Sequence, residues 1–167
     1  DENLQRAVSK FVAPEDLIVP YYTTDLESCP RITHVIKMPE NEVKKLQAIG
    51  FYRDVRVADG NSSSDTSGVK EEIERLEGME PSYDTGEVSN LYEVHCNLDL
   101  EGFEDVNEDD EYTEVKLPYI VTIDSNSENI LAIRRNFEED DPMKNKIEYF
   151  VHFKFLPGLG FYGFGLT

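Results

Sequence analysis

The sequence predicts an α+β domain, mainly an antiparallel β-meander with two or three short helices on one side. Three observations carry this reading. Runs in the second half alternate apolar and polar residues with period two, as half-buried strands do. Clusters of Asp, Ser, Asn and Glu with hairpin-turn composition separate those runs. The 3.6-residue stripes are short and lie apart from the strands, which argues against a βαβ pattern. A length of 167 residues suits a single domain, and the 39% hydrophobic content is clustered enough to form a core.

Residues 4–12 alternate weakly and read as a strand. Pro14, Glu15 and Asp16 form a turn, and Leu17, Ile18 and Val19 a short buried strand ended by Pro20. Residues 23–30 read as a turn or a single helical turn, and residues 32–38 as the next strand. Pro39 then opens a helix at its favoured first position. Glu40 and Glu42 suit the positive end of its dipole. Val43, Leu46 and Ile49 give its apolar stripe, and Gly50 sits where a C-terminal glycine belongs.

Residues 51–57 read as a short extended piece, and residues 58–68 as a flexible loop by composition. A second amphipathic helix is expected over residues 69–77, on Val69, Ile73 and Leu76, with Gly78 ending it. Residues 81–90 read as a loop. In residues 91–100 the apolar positions are Tyr92, Val94, Cys96 and Leu98. Glu93, His95, Asn97 and Asp99 alternate with them, which predicts that this second set faces water. Residues 99–114 hold many acids and no base, a solvated and flexible insertion. Strands are expected over 117–123 and 130–137, joined by a hairpin turn at 124–129. After a charged turn at 138–146, residues 147–155 read as a last strand. Aromatics fall on both its faces, which predicts a central place in the sheet.

The charge narrows the function. Thirty-five acids against sixteen bases give a net charge of −19. Such a chain is repelled by nucleic-acid phosphates, and no Lys or Arg run longer than a pair offsets this. Anionic membrane surfaces are disfavoured for the same reason. The acidity serves solubility or meets a basic partner. Cys29 and Cys96 lack metal-ligand neighbours, so a reducing compartment is expected. The first residues carry no signal-peptide pattern, and no stretch of about 18 apolar residues exists to span a membrane.

No motif announces catalysis. Nucleophile-elbow, phosphate-loop and zinc-protease patterns are absent. His34, His95 and His152 lie far apart, each on an expected strand, and read as sheet histidines. Asp105, Asn107 and Asp109 match the first alternating ligands of a calcium loop, but Asp110 stands where glycine is needed and Lys116 where an acid is needed. Asp124, Asn126 and Glu128 fail at Asn129 and Arg135 in the same way. Glu138, Glu139, Asp140 and Asp141 form a charge run in a turn. The expectation is no enzyme, no cofactor and no metal.

The most distinctive stretch is residues 146–167, KIEYFVHFKFLPGLGFYGFGLT, dense in aromatics and punctuated by Gly158, Gly160, Gly163 and Gly165. A run this apolar packs on its own domain or enters a partner. Its glycines permit tight reversal and close backbone approach.

That string follows the strand at 117–123, the hairpin turn, the Ile133-Arg134-Arg135-Asn136 strand end and the Asp141-Pro142 turn. In this order residues 115–166 resemble the portal proteins of tailed bacteriophages, in particular the long portals of short-tailed, podovirus-type phages. Residues 11–55 are similar to the same family upstream, through the Pro14-Glu15-Asp16 turn, the Thr33-His34 strand and the helix closing on Gly50-Phe51-Tyr52. Residues 58–114 carry no part of the resemblance.

The resemblance implies a structural part without chemistry: a piece of the wing region of a ring-shaped, dodecameric subunit at the unique capsid vertex. Its partners would be other portal subunits, terminase, capsid, scaffold and tail adaptor proteins. Double-stranded DNA would pass without tight binding, and the location would be the virion, after assembly in the host cytoplasm. Phe155, Phe161, Tyr162 and Phe164 would pack against the helices that follow this run in the family. Arg134 would contact a neighbouring subunit or the acidic loops, whereas Arg135 reads as an ordinary strand residue. Two other classes compete: an acidic protein-binding module of the DNA-mimic or inhibitor type, and an enzyme whose active site is scattered along the chain.

Overall fold

The computed structural model describes residues 8–57, 88–107, 109, 111–154, 158 and 160–163. Among them a five-stranded antiparallel meander runs in the order β1 (Leu17–Ile18), β2 (Arg31–Pro39), β3 (Val88–Leu98), β4 (Leu117–Asp124) and β5 (Ile130–Arg135). A 3₁₀ turn (Pro14–Asp16) precedes β1, and the helix α1 (Glu40–Ala48) follows β2 directly. The fold is mostly β with one short helix among the described residues. The helix expected at 69–77 and the loop at 58–68 lie outside them. Residues 8–12, expected as part of a strand, hold none.

Each register follows from the strand sequences. Val35 lies opposite Tyr92, which lies opposite Ile123, and Thr33, Val94 and Val121 repeat the pattern one rung on. β4 is buried along nearly its whole length because it has neighbours on both edges and cover on both faces. Between β4 and β5 the register shifts at Thr122/Ile123. The shift lets the adjacent residues Leu131 and Ala132 both enter one apolar cluster.

Pro39 serves as the N-cap of α1 in extended conformation, one residue before its expected place. The C-terminus matches the sequence reading. Gly50 has φ +77°, its N–H donates to Gln47 O, and the N–H of Phe51 donates to Leu46 O, both at 2.9 Å. These two bonds form a Schellman closure, which needs a residue in the left-handed region. The closure reverses the chain so that Tyr52 enters the core and Phe51 stays outside.

The core has two parts on one face of the sheet. Val43, Tyr52, Leu91, Leu131 and Ala132 form the first, with Ile36, Met38 and Leu46 packed against it. Leu26, Cys29, Ile32 and Phe161 form the second, with Leu17, Val19 and Phe150 beside it. On the opposite face Leu117, Tyr119 and Val121 are buried. Phe137 meets the Tyr119 ring edge-on at 6.3 Å, and the Tyr119 hydroxyl donates to Phe103 O.

Two expectations are corrected. The set Glu93, His95, Asn97 and Asp99 was expected on the wet face of β3; instead His95 is buried and Glu93 half-buried beside the buried Leu91, Asn97 alone of the strand's set is exposed, and Tyr92 on the expected core face is exposed. The cause is cover: α1, Tyr52 and Phe150 sit on that face, and its polar side chains pair with one another. The second correction concerns residues 147–154, which form no strand. They cross the covered face, seating Phe150 beside His34 and His95, and leave Val151 92% and Phe153 90% exposed. Of residues 148–153 only Phe150 is drawn partly inward, so the segment packs through one ring without a place in the sheet.

The acidic stretch 99–114 contains a bridge between Val106 and Tyr112. Asn107 Oδ1 accepts from the backbone N–H of Asp109 and of Glu111, and Lys144 and Thr113 bind the Asp105 carboxylate. Those two partners hold the Asp105 carboxyl below its ordinary value. The Asp99 carboxylate accepts from the Tyr112 hydroxyl and pushes its pKa up to about 12. At the hairpin turn Asp124 accepts from the backbone and side chain of Ser127, while Glu128 takes φ +57°. Asp105, Asn107 and Asp124 are thus each engaged by groups of the chain itself.

The Leu91→Ala variant is expected to lose about 2–5 kcal/mol through the cavity it leaves, read as a lower urea midpoint. Gly50→Ala is expected to lose about 1–2 kcal/mol because of its positive φ, although nothing lies within 4 Å of an added Cβ.

Candidate functional site

Period-two geometry places His34, Glu93, Thr122 and Ala132 in one cross-strand row of the covered face, and Ile32, His95, Ile120 and Arg134 in the next. These rows lie between the two apolar clusters and bring together four ionisable groups, His34, Glu93, His95 and Arg134, with the Thr122 hydroxyl among them. With Glu93 ionised, its oxygens can only accept. His95 Nε2 donates to Oε1 at 3.3 Å, and Arg134 Nη2 donates to Oε2 at 3.2 Å.

Hydrogen bonding by His95 holds the Glu93 carboxyl below its ordinary 4.5 against the opposing effect of burial, with further help from the charges of His95, Arg134 and His34. Burial and the Glu93 charge push the Tyr52 phenol above its ordinary 10.0. The Arg134 charge and, less, the Thr122 hydroxyl offset this in part, though Thr122 Oγ1 has no hydrogen-bond partner among the described residues.

Aromatic rings wall the cluster. Phe150 lies edge-on to both His34 (5.8 Å) and His95 (5.0 Å), and Tyr149 meets His95 at 5.7 Å. On the other side the Arg134 guanidinium stacks over Phe51, its carbon 4.9 Å from the ring centroid. Glu93 and Phe51 thus grip Arg134 from two directions.

Chemically this is a clamp. Both Glu93 oxygens are engaged, one by His95 and one by Arg134. Its exposed end is Arg134, which opens onto a groove of about 480 Å³ lined by β5, Phe51, Arg53, Phe103 and Tyr119.

The residues expected at a packing seam separate. Phe161 is buried in the second cluster, edge-on to Tyr162 and under the Lys154 ammonium at 5.5 Å. Tyr162 is exposed, with its hydroxyl donating to Leu17 O. Phe155 and Phe164 lie outside the described residues. Arg135 points to the other face and pairs with Glu139 in solvent. Sequence reasoning missed Glu93, His95, Tyr52 and Phe51. The available signal was Glu93-x-His95 on one strand face, two polar side chains that burial obliges to pair.

Among the described residues no group of three His, Cys, Asp or Glu can hold a metal ion, and no helix is long and apolar enough to cross a membrane. Comparison with protein-family models, curated proteins and solved structures finds no match.

Two measurements check the clamp. A carboxyl whose folded value is depressed stabilises the fold above its unfolded value, and that contribution is lost as pH falls through the folded value. Glu93→Gln should therefore be less stable than the wild type at neutral pH by about 1–3 kcal/mol, and the gap should close below pH 4.5 in urea titrations. Thr122→Val removes a buried hydroxyl without a partner at nearly equal volume, so its urea midpoint should hold or rise.

Proposed function

We propose that this chain is a structural, non-enzymatic part of a phage portal ring, at the capsid vertex through which DNA is packaged and ejected. The observation that carries the reading is the exposed apolar surface of residues 149–153. Tyr149, Val151 and Phe153 project into solvent from a segment anchored by Phe150. Phe11, Tyr21 and Tyr22 add further exposed aromatic area. Apolar surface on this scale suits a subunit that covers it with neighbours.

The sequence resemblance over residues 11–55 and 115–166 supports reading that assembly as a portal. The charge of −19 suits a component beside moving DNA, because tight phosphate contacts would oppose sliding. The partners of this reading are other portal subunits, terminase, capsid, scaffold and tail adaptor proteins. The engaged oxygens of Glu93 support the non-enzymatic part of the proposal.

Antibodies against residues 39–50 should label a single vertex of purified particles in electron micrographs, and peptides of the chain should be found in those particles. A chain missing from particles, or one that binds double-stranded DNA tightly at low salt, overturns the reading. Replacing Val151 and Phe153 together by Glu should leave the melting temperature within about 2 °C, since both are exposed, yet reduce incorporation into particles.

A further inference from the structure

The groove beside β5 has the form of a slot for an added strand. Its lining includes all of Ile130–Arg135, residues that alternate between the two faces of the sheet. A cavity touched by consecutive residues from both faces lies along the strand's edge. Phe51 and Arg53 form the bank on the covered face, and Phe103 and Tyr119 the bank on the other.

β5 ends the strand order among the described residues. Asn136 N–H donates to Pro118 O on β4 at 3.0 Å. Peptide groups alternate sides along a strand, so those of Arg134 also face β4 and those of Ile133 and Arg135 face outward. One outward carbonyl is already in use: Leu131 O accepts from Arg53 N–H at 2.7 Å. This edge thus already draws extended backbone from outside the sheet.

The slot is apolar along its walls and basic at its rim. Ile133 is 46% and Phe103 58% exposed, with Phe51 and Ile130 exposed beside them. Arg53, Arg134 and Arg135 gather here in a chain that has sixteen bases against thirty-five acids. A second copy of β5 would bring its own arginine pair into the slot, and like charge opposes that pairing. An acidic strand meets no such barrier. The Arg135–Glu139 pair is exposed, so it is weak and yields readily to an incoming carboxylate.

We infer that β5 accepts an extended acidic peptide segment of a partner protein as an added strand, its backbone pairing with Ile133 and Arg135 and its carboxylates meeting Arg53, Arg134 and Arg135. The slot does not depend on the portal reading, and binding here leaves that reading untouched.

The test is fluorescence anisotropy with three labelled probes: a Val/Glu peptide of about ten residues repeating Glu-Glu-Val-Val, which presents carboxylates on both faces of a strand, its Val/Lys counterpart, and a single-stranded oligonucleotide. The Val/Glu peptide should bind, more weakly as salt rises, and slow hydrogen exchange at the Ile133 and Arg135 amides. Joint replacement Arg53→Glu and Arg135→Glu should weaken it at least about tenfold. Ile133→Pro removes an outward N–H at an edge position and should abolish binding with an unchanged circular dichroism spectrum. If that variant unfolds, the exchange measurement on the wild type decides. Equal binding of the Val/Lys peptide, oligonucleotide binding of similar strength, or unchanged exchange at the two amides overturns the inference.

Discussion

A carboxylate on the covered face of the central strand constrains the rest of this molecule. Glu93 sits beneath Phe150 and Tyr52, where an unpaired charge would cost several kcal/mol. It stays ionised because β2, β5 and its own strand bring partners to it. His34 is directly opposite, His95 is two residues along its own strand, and Arg134 arrives diagonally across β4. The meander order β2-β3-β4-β5 is what makes those three approaches simultaneous. A one-residue slip of β5 would turn Arg134 to the other face and strand the carboxylate, so the ion network specifies the register as well as benefiting from it.

The same polar rows divide the apolar core. Helix α1 and Tyr52 fill the space on one side, while Leu26, Cys29 and Phe161 fill it on the other. Neither cluster is large, and each is closed by a segment beyond the sheet. The Schellman turn at Gly50 closes the first by sending Tyr52 inward and Phe51 outward over Arg134. Phe150 and Phe161 close the second from the far end of the chain. Loosening either closing segment exposes the charged rows to water, where their attraction is screened, and so weakens both clusters together.

The elements legible in the sequence were those fixed by local chemistry. Gly50 ended α1 because only a left-handed residue closes that turn, and Asp124 with Ser127 made the hairpin by side-chain bonds to nearby backbone. β4 could be read from its apolar run. The faces of β3 could not, because alternation tells which residues share a face without telling which face is covered. Tyr92 and Val94 looked like the core set, but the cover came from α1 and Phe150, distant in sequence. Residues 147–154 misled for a related reason. Their alternation has period two, yet the segment touches the sheet edge only where the Ile147 N–H donates to Asn136 O and then leaves it to cross the covered face. The candidate site was least legible, since its four groups come from three strands and only their register unites them.

Charge is distributed unevenly, and this links the clamp to the edge beside it. The acids concentrate in the 99–114 and 138–141 stretches, where Asn107, Thr113 and Lys144 organise part of them. Arg134 is kept out of that network because Glu93 and Phe51 hold it at the rim of β5. A surface arginine without such a grip would swing toward the nearest loop carboxylate, as Arg135 does with Glu139. Fixing one guanidinium lowers the entropy lost when it meets an incoming acid. The half-buried glutamate therefore has a reach beyond the core: by holding its arginine still, it keeps positive potential at the one strand edge where outward peptide groups, exposed apolar walls and a groove coincide among the described residues.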